Sequence, residues 1–143
     1  MQSLCDINVL IALIYEGHLH HGLAKAWLNK QNDKDAIALC RVSQLGLLRI
    51  LTTKAAMGDA VLTMEAAWQT YELLMQDERF IFLPEPAWST MNVGLKQLTT
   101  TQQASPKVWQ DAYLAAFALE CNLKLVTFDR GFQKFAHLKL ELL

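Results

Sequence analysis

Dense apolar runs and longer mixed segments take turns along this chain. The dense runs are Leu4-Cys5, Ala36 to Cys40, Phe80 to Leu83, Lys124 to Phe128 and Leu138 to Leu143. All have the length of buried strands. The segments between them repeat at helical spacing. Ile7 to Tyr15 reads as a helix stopped at Gly17, and His20 to Asn29 sets Leu23, Ala24, Trp27 and Leu28 on one stripe. Ser43 is expected to cap a helix through Leu51, with Leu47, Leu48, Ile50 and Leu51 turned inward. Thr63 opens a helix to Met75, with Ala66 at its third position, and Trp88 to Leu98 reads as another. Ser105-Pro106 begins a helix running to about Glu120, with Ser at the cap and Pro in the first turn, where no N–H is missed. Gln31 to Asp35 and Thr99 to Ala104 are polar loops, Pro84 and Pro86 end the third strand, and Asp129-Arg130-Gly131 makes a turn. Strands alternating with helices predict an α/β fold with a parallel sheet covered on both faces. No internal repeat or linker appears, so residues 1–143 are expected to form a single domain.

Composition narrows the function. A chain of 143 residues with 52% apolar and 19% charged residues can bury a core and is not disordered. Its net charge is −1, from 13 Lys plus Arg against 14 Asp plus Glu. A broad basic field for nucleic acid is excluded, which leaves a local patch or a bound cation. Mean hydropathy is +0.14, high for a monomer, and points to a partner chain covering apolar surface. The apolar run Val9 to Tyr15 falls far short of the roughly 20 residues that span a bilayer. No basic segment precedes it, and Asp6 stands where a signal peptide would be apolar, so a cytoplasmic protein without membrane contact is expected. Cys5, Cys40 and Cys121 lie in or beside apolar runs without metal-binding spacing and read as small core residues.

Three aspartates stand out. In open α/β sheets, ligands bind at the carboxyl ends of strands. Asp6 follows the first expected strand and Asp129 the fourth. Each could also serve only locally, Asp6 as a helix cap and Asp129 in a turn before Gly131. Asp111 lies within the helix from Pro106, with Val108, Leu114 and Ala115 on its stripe and no charge from Ala112 to Leu119. A carboxylate inside so apolar a helix needs an ion pair or a cation. The small Ala115 and Ala118 would let that helix sit close to the sheet, and bring Asp111 near Asp6 and Asp129. Three converging carboxylates repel one another, and a hard divalent cation, Mg²⁺ or Mn²⁺, resolves that repulsion. The chemistry so suggested is metal-assisted attack of water on a phosphodiester.

These residues sit in stretches that resemble a PIN-domain ribonuclease, specifically a VapC-type toxin of a toxin–antitoxin pair. The stretches are Asp6 to Leu10, Arg41 to Arg49, Ser105-Pro106 with Trp109 to Ala116, and Leu125 to Phe132, in that order. The resemblance implies a five-stranded parallel sheet flanked by helices and an acidic cluster holding Mg²⁺ or Mn²⁺. It also implies single-stranded or tRNA-like RNA as substrate and a cognate antitoxin; a homodimer is expected because most oligomers close by two-fold symmetry. By motif, Asp6, Asp111 and Asp129 take the metal-ligand roles, with Asn8 and Thr127 as polar partners beside them. Many relatives carry Glu where this chain has Gln44. Gln44 would therefore leave three carboxylates instead of four, while still binding a metal-held water or a phosphate. Arg41, Lys107 and Arg130 are the basic residues expected near RNA phosphates. Arg49 is expected in an internal ion pair. His18, His20 and His21 form a cluster that reads as loop rather than metal site. Trp27, Trp68 and Trp88 read as core or interface, and Trp109 as a residue of the RNA cleft. Two other functions compete. A haloacid-dehalogenase-like phosphatase would need an Asp where Asn8 stands. An inactive PIN-like RNA-binding or scaffold domain is favoured only by Gln44.

Overall fold

A computed structural model describes all residues, 1–143. Five strands form one parallel sheet: β1 (Ser3–Cys5), β2 (Ile37–Leu39), β3 (Phe80–Phe82), β4 (Lys124–Thr127) and β5 (Leu140–Leu142), in the order β3-β2-β1-β4-β5. Cys5 lies opposite Val126, and the Asp6 N–H donates to the Val126 carbonyl at 2.9 Å. The strand order reverses between β1 and β4. Such a reversal opens a crevice at the carboxyl ends of the two strands, where Asp6 and Asp129 follow.

Strand alternation divides the core in two. Leu4, Ala38, Cys40 and Leu125 face α6 (Trp88–Thr99) and α7 (Pro106–Glu120), where Ala112, Ala115 and Phe117 are buried. Cys5, Ile37, Leu39 and Val126 face the other way. They meet α1 (Ile7–Ile14), α2 (His21–Leu28), α3 (Arg41–Leu51) and α5 (Met64–Met75) through Val9, Leu10, Trp27, Leu47 and Tyr71. The helices α1 and α3 cross at Gly46, where a Cβ would lie 2.1 Å from Ile7 Cδ1, so only glycine permits this approach. Cys5 and Cys40 are buried and Cys121 half-buried, all as free thiols. No helix is long and apolar enough to cross a membrane.

Several boundaries differ from the expected ones. Helix α3 begins at Arg41, not after Ser43, because β2 hands over directly and the Cys40 carbonyl takes the Gln44 N–H at 3.0 Å. Ser43 is buried inside the helix, with its Oγ 3.2 Å from Cys40 Sγ. A short helix α4 (Lys54–Met57), followed by a 3₁₀ turn at Gly58–Ala60, fills a stretch with no assigned element. The turn after β4 extends into a 3₁₀ helix, Arg130–Lys134, and β5 is shorter than Leu138 to Leu143. Ser105 holds the N-cap position of α7 without a side-chain capping bond. Thr63 caps α5 as expected, accepting from the Ala66 N–H at 3.1 Å.

Candidate active site

Asp6 directly follows β1 and is the N-cap of α1. Its Oδ1 accepts from the Ile7 N–H at 2.7 Å, and its Oδ2 accepts from the Thr127 hydroxyl at 2.7 Å. It is only 7% exposed. Burial therefore raises its pKa above the ordinary carboxylate value; Thr127 and Ile7 offset part of that, and the charges of Asp111 and Asp129 raise it further.

Thr127, the last residue of β4, ties the cleft together. Its single hydroxyl proton goes to Asp6, while its oxygen accepts from Asn8 Nδ2 at 3.3 Å and from the Asp129 N–H at 2.9 Å. Asn8 also accepts from the Phe128 N–H at 3.4 Å. The cap of α1 and the end of β4 are thus joined by side chains at the point of strand reversal.

Asp129 is held by two donors, the Gly131 N–H at 2.7 Å and Lys107 Nζ at 3.2 Å. The Gly131 bond, with Lys107 adding to it, lowers its pKa. Asp111, on the second turn of α7, is 8% exposed yet makes no hydrogen bond or ion pair within the protein. Burial raises its pKa most; Lys107 and Lys134 oppose this and Asp129 adds to it. The internal salt bridge that could have explained Asp111 is not there.

All three carboxylates line one cleft of about 410 Å³, together with Asn8, Lys107 and Gln110. They do not converge on a single point, as the sequence had suggested: no three acids or histidines stand close enough together to clasp an ion. The Asp129 carboxylate is engaged by the Gly131 N–H and Lys107. The donor chemistry nonetheless fits a hard divalent cation. Asp111 offers an unpartnered carboxylate, and neither Asp6 nor Asp111 has a direct ion-pair partner.

Residues 3–138 match the PIN domain family. The chain belongs to that family. Within it, the chain is 39% identical to ribonuclease VapC41 of Mycobacterium tuberculosis over 98% of its own length and 97% of that protein's. Ribonuclease VapC44 of the same organism is 29% identical, over 92% and 88%. Among solved structures, VapBC2 from Rickettsia felis, bound to a promoter DNA fragment, superposes with a TM-score of 0.69 at 17% identity, covering 100% of this chain and 99% of that one. The sarcin-ricin loop cleaving toxin VapC20 of M. tuberculosis gives 0.66 at 14%, over 92% and 93%. These distant structures share the PIN fold.

Against the PIN pattern, several expected residues lie elsewhere. Gln44 is buried, but it accepts from Arg41 Nη1 and does not line the carboxylate cleft. The reason is helical phase: Gln44 shares its face with the inward Leu47 and Leu51. Arg41 stacks over Phe82, 5.0 Å from the ring centroid, and does not line the cleft. Arg130 is exposed, without an ion pair, and also lies off the cleft. Of the tryptophans, Trp27 is buried, while Trp68 and Trp88 are 44% and 72% exposed. Trp109 borders a separate hollow beside Pro106. Conversely, Arg49 makes no internal ion pair; it is exposed and lines the cleft. His18 and Tyr15 line it too, and Lys134 adds positive field at Asp111 and Asp129. Arg49 was hidden from sequence because its position follows from the Gly46–Ile7 crossing.

Proposed function

We propose that this chain is a Mg²⁺- or Mn²⁺-dependent endoribonuclease, the toxin of a cytoplasmic toxin–antitoxin pair, with residues 1–143 acting as one nuclease domain. The observation that carries this reading is the unpartnered Asp111 facing the same cleft as Asp6 and Asp129, at the strand reversal of a PIN fold. Asp6, Asp111 and Asp129 would hold the cation, which when bound supplies charge to a phosphodiester and acidity to its water. The chain's own residues do the rest. Thr127 and Asn8 keep Asp6 oriented, as the partners of metal ligands generally do. Lys107 and Arg49 moderate the repulsion between the acidic wall and an RNA strand. The scaffold reading rested on Gln44, and the Gln44 side chain is engaged by Arg41. Purified protein is expected to cut single-stranded RNA with Mg²⁺ or Mn²⁺ and to stop on chelation; cleavage that survives chelation rejects the assignment.

The partner reading rests on relatedness to VapC ribonucleases and on exposed apolar residues. Leu45, Met64 and Trp68 border a groove between α3 and α5. An antitoxin tail that also pushes a Lys or Arg toward the carboxylates would compete with the cation, so inhibition should weaken as Mg²⁺ rises. Inhibition indifferent to Mg²⁺ would mean that the tail only blocks RNA. Most oligomers close by two-fold symmetry, and light scattering at micromolar concentration should show a homodimer of the free chain.

A further inference from the structure

The cleft is not acidic throughout. It follows one face of α1, from Asp6 at the cap past Ile7 and Ile11 to Tyr15, and it includes Met57 and His18. Apolar surface of this kind cannot replace water around a phosphate. It suits the flat face of a nucleobase, which stacks on apolar and aromatic side chains.

His18 is presented there by a tightly bonded turn. Its N–H donates to the Tyr15 carbonyl at 3.0 Å, and its own carbonyl accepts from the His21 N–H at 3.0 Å. His18 Nδ1 accepts from the His20 N–H at 3.0 Å. A backbone N–H can only donate, so the neutral His18 ring carries its proton on Nε2. That Nε2–H has no partner within the protein and remains for whatever enters the cleft. The turn is fixed to the catalytic edge as well. His20 stacks on Phe128, the neighbour of Asp129, with ring centroids 4.5 Å apart and planes 21° apart. Gly17 lets the Tyr15 ring lie against the backbone, since a Cβ there would be 2.7 Å from Tyr15 Cζ.

We propose that the half-buried Tyr15 and His18, over a floor of the nearly buried Ile11 and Met57, form a nucleobase subsite beside the carboxylates, in which His18 Nε2–H donates to an acceptor atom on the base. His18 is a specificity-determining residue in this arrangement, and the proposal rests on the RNA reading above.

The full chain carrying Asp111→Asn, which arrests cleavage, is titrated in Mg²⁺ buffer with short fluorescein-labelled oligomers of A, C, G and U, followed by anisotropy. With His18 present, the four affinities should differ. His18→Phe keeps a ring but no donor, and should narrow the spread by roughly three- to tenfold, the worth of one hydrogen bond. His18→Gln keeps an N–H donor and should retain most of the spread. Nitrogen-15 NMR of the histidine rings should show His18 with a bare Nδ1. Equal weakening of all four oligomers, equal narrowing by both variants, or a protonated Nδ1 in the neutral ring overturns the subsite. If no oligomer binds the Asp111→Asn protein and none is bound or cut by the wild-type chain in Mg²⁺, the RNA reading itself fails; if all bind and only the spread ignores His18, the subsite alone fails.

Discussion

Two charged clusters in this molecule solve opposite problems. At the start of β3, Arg79 grips Asp77 with Nη2–Oδ2 at 2.5 Å and Nε–Oδ1 at 2.9 Å. The same guanidinium donates to the Leu28 carbonyl at 2.9 Å, fastening the end of α2 to the sheet. One charge meets one charge, and the pKa of Asp77 is lowered, chiefly by the Arg79 bond. In the cleft, three carboxylates meet one direct cation, Lys107, which is itself well exposed. Asp6 and Asp111 are raised rather than lowered. A cluster built for stability closes its charges internally. A cluster that leaves buried carboxylates uncompensated is held there by the fold at a cost in stability, which is the signature of a functional site.

Removing charge should therefore act in opposite directions at the two places. Asp111→Asn or Asp6→Asn should lower RNA cleavage by at least roughly 100-fold, the scale on which single electrostatic groups at reacting centres are felt. In chelator, Asp111→Asn should melt at or above the wild-type temperature, because a buried carboxylate without an ion-pair partner has been neutralised. Asp6→Asn gains less, since its amide cannot accept both the Ile7 N–H and the Thr127 hydroxyl. Full activity in both variants, or a marked fall in melting temperature, would remove the contrast. Thr127→Val keeps the shape of a fully buried side chain but deletes the hydroxyl shared by Asp6, Asn8 and Asp129. A loss of about 10- to 100-fold in metal affinity or turnover is expected, as for other partners of metal ligands. Calorimetric Mg²⁺ titration measures the first and steady-state cleavage the second.

How much of this contrast was readable from sequence depends on the residue. Asp6 and Asp129 declare themselves because strand ends are recognisable, and each also performs its local task, capping Ile7 and turning to Gly131. Asp111 declares itself through the uncharged helix around it. For Gln44 a motif position carries no direction; its phase relative to Leu47 and Leu51 turns it into the protein, where Arg41 meets it. The short α4 was missed because four residues cannot display a helical period. Thr127 appeared only as a motif member, since two of its three bonds, to Asp6 and Asn8, join residues more than a hundred positions apart.

Arg79→Ala probes the closed cluster. It removes a paired charge and a bond to the Leu28 carbonyl, but both side chains are about one-third exposed, with relative accessibilities of 27% and 32%. Solvent screening holds the expected destabilisation to about 1 kcal/mol. For a chain of this size, that is a melting shift of roughly 3 °C. RNA cleavage should be unchanged at temperatures well below the transition. A loss of activity without a loss of stability would show that the two clusters are not independent.

The smallest effect is the most specific to the comparison, because the two clusters have opposite pH signatures. Asp6 and Asp111 hold protons in the folded state at pH values where the unfolded chain, near the ordinary carboxylate value of about 3.9, has released them. Over that interval the folded state binds more protons, so stability falls as pH rises through it and recovers as pH is lowered. Asp77 and Asp129 are lowered, so their contribution is complete above the ordinary value and is lost as pH falls through their folded values. In chelator, the melting temperature should therefore rise slightly on acidification from neutrality into the range just above the ordinary carboxylate value, then fall at lower pH. Asp6→Asn with Asp111→Asn should erase the rise and leave the fall. Asp77→Asn should flatten part of the fall and leave the rise. A wild-type profile that only declines on acidification would mean that Asp6 and Asp111 are compensated after all, and that the cleft is built like the Arg79 corner.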